Sequence, residues 1–385
     1  MKVVLFASRA ARELFPLTNQ RTCAAMLPVG GKPLIVHAVE SLAMAGLKAA
    51  TVVVSGSANA LKENLGDGTR WGMQFDYLSA GPAETPDDIV RRLGLVRNGD
   101  FLVVRGEILR TPVIEEFMAL AQATEHSTVA ATIGGIPAGV RLVRNSFADS
   151  PGLPDDPASP DKWRENVPAL ELSGARLSLI ESLAAYHQAN MQTISGQFPG
   201  LIIPGRQLTP GVVVGRGTSL PARAIKGQPI LVGCHCHIAA DAELMSGVVL
   251  SDNVLIDRRA TLRSAVIMPD SYVGQLVDIS DAIVDGNTLI HIDTGAITQV
   301  TDSFLLTNVR AHSIASFLRG LLSPASAIKN LSKARLRNWL WAAKGLKATA
   351  TDRVAFALKN LLPGSPAGEK SSLKRDDLPK RKIYR

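Results

Sequence analysis

The segment "VGRGTSLPARAIKGQPILVGCHCHIAADAELMSGVVLSDNVLIDRRATLRSAVIMPDSY", Val214 to Tyr272, keeps a period of six residues. Val214, Leu220, Lys226, Val232, Ile238, Leu244, Leu250, Ile256, Leu262 and Met268 open successive hexads, and nine of these ten are apolar. Four residues further on stand Thr218, Ala224, Ile230, Cys236, Ala242, Val248, Val254, Ala260, Val266 and Tyr272, mostly small or apolar. A period held this long marks a repeat architecture, in which each turn buries its neighbour's face because it cannot bury its own.

Upstream the pattern changes to strands alternating with helices. Val3–Ala7, Thr51–Val54, Phe75–Leu78, Phe101–Val104 and Thr128–Ile133 are short β-type runs, and Pro33–Met44 has helical spacing that ends at Gly46. Thr85-Pro86-Asp87-Asp88 offers a capping hydroxyl, a proline at the first helical position and acids in the first turn. This alternation predicts a parallel sheet covered by helices, with ligands at the carboxyl ends of its strands, beginning at the loop after the first. Ser146–Lys162, dense in Pro, Asp and Ser, reads as a loop, and a helix around Leu177–Asn190 closes the unit.

At 385 residues the chain has room for two or three compact units, each able to bury a core without disulfides. Its apolar runs are too short to cross a bilayer, the N-terminus lacks an export-signal layout, and three cysteines make no even framework. A cytoplasmic protein is expected. The net charge of +8 is uneven: Arg310–Arg385 holds 17 Lys and Arg against 4 Asp and Glu, which leaves −5 for the preceding 309 residues.

The order of elements at the N-terminus carries a resemblance. A first strand and its loop are followed by "FPLT" at Phe15–Thr18 and "LPVGGKPLI" at Leu27–Ile35. This resembles the signature of the sugar-1-phosphate nucleotidyltransferases, the NDP-sugar pyrophosphorylases that include mannose-1-phosphate guanylyltransferases. The hexads resemble the left-handed parallel β-helix that commonly follows that catalytic domain, three hexads to a triangular coil. The resemblance covers roughly Met1 to Val300. It implies an α/β fold, with a Rossmann-like nucleotidyltransferase domain over residues 1–195, a β-helix over 205–300 and a basic helical tail over 310–385.

In that family a sugar-1-phosphate oxygen attacks the α-phosphate of a nucleoside triphosphate and releases pyrophosphate, with catalysis by positioning and charge neutralisation. The resemblance implies nucleotide binding by Ala7, Ser8, Arg9, Ala10 and Arg12, catalytic roles for Arg12 and Lys32, and Mg2+ on Glu107. The letters depart from the family at several of these points. Ser8 and Ala10 stand where glycines would let backbone N–H groups approach phosphate, and one extra residue precedes Pro16. Ala24 replaces a lysine near the α-phosphate. Glu107 replaces an aspartate, and its extra methylene displaces the carboxylate in a near-octahedral site. Leu179 falls where a second metal aspartate belongs, and "GPAETPDD" replaces a glycine-rich stretch that reads the base.

Two functions are therefore expected from the resemblance: a nucleotidyltransferase of cell-surface polysaccharide synthesis with weak or altered catalysis, or a non-catalytic regulatory or scaffolding subunit that binds nucleoside triphosphate or NDP-sugar. A hexapeptide-repeat acyltransferase using His235 or His237 is a third, lesser reading. In "GCHCHI", Gly233–Ile238, an extended chain turns Cys234 and Cys236 one way and the two histidines the other, which argues against a shared metal ion. The tail interleaves basic residues with Trp339, Trp341 and Phe356, which suits an anionic membrane surface at the inner face, or a polysaccharide-synthesis protein, better than nucleic acid. Sugar, base and homo-oligomeric state are left open by the sequence.

Overall fold

The computed structural model describes residues 1–8, 12–18, 23–55, 58–81, 84–95, 99–144 and 167–309. The described residues fall within one compact unit, Met1–Ala311, and the basic tail at 310–385 lies outside the described residues. So does the loop assigned to 146–162.

The first half is an α/β sandwich. Its elements are β1 Lys2–Ala7, a hairpin of β2 Pro28–Val29 and β3 Lys32–Pro33, α1 Leu34–Met44, β4 Ala49–Ser55, α2 Ala58–Leu65, β5 Gln74–Ala80 and α3 Pro86–Arg92. They continue with β6 Phe101–Arg105, β7 Ile108–Arg110, α4 Ile114–Gln122, β8 Thr128–Ile133, β9 Ile136–Val143, β10 Ala169–Glu171, β11 Leu177–Leu179 and α5 Leu183–Ile194. Seven strands form one sheet in the order β10-β8-β9-β6-β1-β4-β5. β6, β1, β4 and β5 run parallel, as the alternation predicts. β9 does not: it pairs antiparallel with both β6 and β8, so the sheet is mixed. Gly134 and Gly135, both at positive φ, close the β8–β9 turn and allow this return.

β1 is buried on both faces, which is why its run is continuously apolar rather than alternating. Val3, Leu5 and Ala7 pack with Ile35, Val39 and Leu42 of α1, while Val4 and Phe6 pack with Ile89 and Val90 of α3. Thr85 caps α3 as expected: its hydroxyl accepts from the Asp88 N–H at 3.3 Å, and the Asp88 carboxylate accepts from the Thr85 N–H at 3.1 Å. The helix expected at Leu177–Asn190 begins only after Ser182. Leu177–Leu179 is instead a strand, antiparallel to β7. The β7 edge offered Leu177–Leu179 ladder bonds, and the Ser182 hydroxyl, accepting from Ala185 N–H at 3.1 Å, fixes the helix start.

From Val212 onward the chain climbs in coils. Ile230, Val248, Ala265 and Ala282 stand above Val212 in one parallel ladder, and His237, Leu255 and Tyr272 form part of another. Rungs are 18 residues apart from Val212 to Ile230 to Val248, then 17 from Val248 to Ala265 to Ala282. The six-residue period thus slips by one residue in each of the last two of these coils. Three residues separate Leu244 from Val248, but only Arg263 and Ser264 separate Leu262 from Ala265. The inward positions become Ala265 and Ile267, while Val266 and Met268, expected in the hexad frame, face outward.

That outward face is not solvent. Leu231, Val249, Val266 and Ile283 pack with Tyr186 and Ala189 of α5 and with Leu14, Leu27 and Leu34 from the N-terminal segment. One buried cluster therefore joins the sheet domain to the coils.

Candidate functional site

β1 delivers Ala7 and Ser8 to the carboxyl end of the sheet, where Ala7 is buried opposite Val54 of β4. Arg9 and Ala10 lie outside the described residues. Arg12 opens a single 3-10 turn, Arg12–Leu14, and is exposed, while Leu14 is fully buried and anchors the turn. The chain re-enters at Cys23 and makes a second turn over Ala24–Met26. Ala24, where the family lysine is expected, is buried among Leu14, Leu27 and Val29. A lysine there would have to take its charge into that core. Cys23 is half-buried beside it, and burial, with a lesser contribution from Glu107, raises its thiol above the ordinary range.

Lys32 sits in the turn "PVGGKP", and its ammonium is already spent. It pairs with Glu40 of α1 and donates to the Ile202 carbonyl at 2.6 Å. The same turn is gripped by α5: the Tyr186 hydroxyl donates to Pro28 O at 2.6 Å, and Asn190 Oδ1 accepts from the Gly30 N–H at 3.2 Å. Gly31, at φ +83°, leaves room for Leu231 and Pro204; a Cβ there would sit 3.3 Å from each. These contacts make the turn a joint between the two architectures.

Glu107 follows β6 in the Gly-Glu pair. Gly106 is required because a Cβ would come within 2.9 Å of Ile35 and 3.1 Å of the Phe6 carbonyl. The Glu107 side chain is 1% exposed, and its Oε1 accepts from Arg105 Nη1 at 3.3 Å. Arg110, also fully buried, folds back to donate to the Arg105 carbonyl at 2.9 Å. Burial lowers its guanidinium to about 10, and the Glu107 charge acts in the opposite direction. Among the described residues Glu107 Oε2 and Arg110 Nε and Nη2 are buried without a hydrogen-bond partner.

Magnesium seeks oxygen ligands in near-octahedral array. Here the candidate carboxylate is matched by two guanidinium groups, which already counter its charge within the fold. The residues present do not fit a magnesium centre on Glu107. Leu179, the other aligned position, lies half-buried in β11, opposite Ile108. Two residues on, Glu181 has a buried Oε1 without a hydrogen-bond partner among the described residues.

In the coils, Cys236 points inward and donates its thiol proton toward the Ser251 carbonyl at 3.0 Å, and burial pushes its pKa up to about 12. His235 occupies a left-handed corner at φ 56°, its ring under Gly217, and His237 is half-buried with its pKa lowered by burial.

Sequence reasoning missed Arg105, Arg110, Glu181, Tyr186 and Asn190. The signal for the first two was present in "FLVVRGEILR": one acid inside a buried run needs a counter-charge, and arginines stand two residues before it and three after.

Residues 2–139 match the nucleotidyl transferase family model. A glucose-1-phosphate thymidylyltransferase of Streptomyces griseus is 24% identical over 117 residues, 30% of this chain and 33% of that protein. A mannose-1-phosphate guanylyltransferase of Mycobacterium tuberculosis is 31% identical over 108 residues, 28% of this chain and 30% of that one. A bifunctional protein GlmU of Symbiobacterium thermophilum is 34% identical over 85 residues, 21% and 17% of the two chains. The chain matches no more than about a third of the length of these relatives. Residues 2–139 are thus similar to nucleotidyl transferases, in keeping with the sugar-1-phosphate nucleotidyltransferases that the sequence resembles.

Proposed function

We propose that this protein, with a nucleotidyltransferase-family domain at residues 2–139, binds a nucleoside triphosphate or NDP-sugar in cell-surface polysaccharide synthesis and acts as a regulatory or scaffolding subunit with little turnover. The observation that carries this reading is the commitment of its charged groups. Lys32 is held by Glu40 and Ile202, so it is not placed to neutralise charge developing at an α-phosphate, and Glu107 is held by Arg105, so it is not placed to carry a metal ion that would. The names of the relatives, which act on glucose 1-phosphate and mannose 1-phosphate, support a sugar-nucleotide ligand. The retained β1 terminus and exposed Arg12 support binding at the carboxyl edge of the sheet.

The parallel ladders, with rungs 18 and 17 residues apart, support a β-helix over residues 205–300, and its left hand is proposed from the hexapeptide resemblance. The tail at 310–385 is proposed to dock on an anionic membrane surface or on an assembly partner. Among the described residues no helix is long and apolar enough to cross a membrane.

The reading is tested by measuring pyrophosphate release from a panel of nucleoside triphosphates and sugar 1-phosphates, alongside nucleotide binding by calorimetry. Binding without turnover, weakened about tenfold by Arg12→Ala, is the expected result. Turnover that disappears in Arg12→Ala would establish the enzyme reading in its place.

A further inference from the structure

The charge cluster at the end of β6 has a feature that the nucleotide-binding reading does not use. The Glu107 carboxylate keeps a buried oxygen without a partner among the described residues. Two guanidiniums act on it, Arg105 at 3.3 Å and Arg110 through its charge, so these three groups carry an excess of +1 without an added ion. The order of burial also matters. Arg105 keeps 12% of its side chain open while Glu107 keeps 1%, so an approaching ion meets the guanidinium before the carboxylate. That order repels a divalent cation and attracts an anion. Arg105 is further fixed by its guanidinium lying 5.7 Å over the Phe6 ring, and Arg110 by the carbonyls of Arg105 and Ile108. Both charges are thus held in place before any ligand arrives.

We infer that Arg105 and Arg110 take the place of a divalent cation at the carboxyl edge of the sheet, so that this domain engages a phosphorylated ligand without magnesium. The inference rests on the nucleotide-binding reading for the identity of the ligand, but not for the charge arrangement itself. Arg105, the more exposed of the two, is the group that faces phosphate oxygens. Arg110 is a positioning residue: it braces the Arg105 carbonyl and shares the Glu107 charge. Because a guanidinium is a fixed fork of donors and not an exchangeable ion, affinity is set by the fold and not by the free magnesium concentration.

Two measurements on the full chain decide it. In the first, without nucleotide, Mn2+ is titrated as a probe and free ion is read by electron paramagnetic resonance. Equal uptake by the wild type and Glu107→Gln is expected; saturable uptake in the wild type that Glu107→Gln abolishes would overturn the inference. In the second, a fluorescent GTP analogue is titrated in EDTA and in magnesium. Affinities within about twofold, falling about tenfold or more in Arg105→Met under both conditions, are expected. Binding that needs magnesium would overturn the inference. Absence of nucleotide binding under both conditions would sink the proposed function instead, and the Mn2+ measurement would still decide the charge arrangement.

Discussion

His37 lies on α1 beneath the "PVGGKP" turn, 97% removed from solvent, with Nε2 3.0 Å from the Val29 carbonyl. A carbonyl only accepts, so Nε2 carries the proton and Nδ1 is left with a buried lone pair. Burial, aided by the Lys32 charge, lowers its pKa to about 3, against 6.5 in an exposed histidine. The folded state therefore binds fewer protons than the unfolded state between those values. Its contribution is fully present above pH 6.5 and is lost as pH falls toward 3, at up to about 1.4 kcal/mol per pH unit. Thermal melts of the wild type and His37→Leu across pH 7 to 4 should show a shallower acid limb in the variant; parallel limbs would exclude His37 as the group. Glu107 gives a second test at this scale. Removing its charge takes from the fully buried Arg110 guanidinium the carboxylate that favours it, so Glu107→Gln should cost about 3–5 kcal/mol in urea melts. Glu107→Met with Arg110→Met should recover part of that loss, because a charge and its partner leave together. Of the site, the sequence showed Arg12, Lys32 and Glu107 as candidates. It did not show which charges the fold had already paired, because the partners Glu40 and Ile202 are 8 and 170 residues away from Lys32.

At the scale of elements, the strand starts read from apolar runs agree with the structure because β1, β4, β6 and β8 are buried on both faces or nearly so. The misassigned elements are those decided by partners far along the chain. β9 runs antiparallel because the Gly134-Gly135 turn sends it back beside β6, and Leu177–Leu179 is a strand because β7 has a free edge. The hexad slip was likewise hidden: Val266 and Met268 are as apolar as Ala265 and Ile267, so composition alone does not separate an inward position from one buried against α5. Corner geometry does separate them. Gly217, His235, Asn253 and Asp270 occupy one corner of successive coils, all at positive φ, with spacings that follow the same 18-to-17 change. Gly217 has a second constraint, since a Cβ would lie 2.6 Å from the His235 ring. Gly217→Ala should therefore destabilise by about 1–3 kcal/mol. With His235→Gly as background, the cost should shrink toward that of φ alone; an unchanged cost in urea melts would show that the ring contact contributes nothing.

For the whole molecule, the question is whether the sheet domain and the coils fold together. Their shared cluster includes Leu14, Leu27 and Leu34 from one side and Leu231, Val249, Val266 and Ile283 from the other, each nearly or fully buried, with Tyr186 between them. Exposing such side chains costs about 1.5–3 kcal/mol each, so separation would sacrifice more than the typical stability of a domain. Polar bonds reinforce the joint: Tyr186 to Pro28, Asn190 to Gly30, and His187 Nε2 to the Ser264 carbonyl at 2.7 Å. Asn190 is fully buried, and Asn190→Ala would leave the Gly30 N–H without its acceptor, at about 1–3 kcal/mol. If the two halves are one cooperative unit, that loss should be felt equally in both. Hydrogen exchange in rising urea should then show amides of β1 and of Val248–Leu250 losing protection at the same concentration in the wild type, and at the same lower concentration in Asn190→Ala. Protection lost first in one half, with the other unmoved by the substitution, would show two units that merely touch.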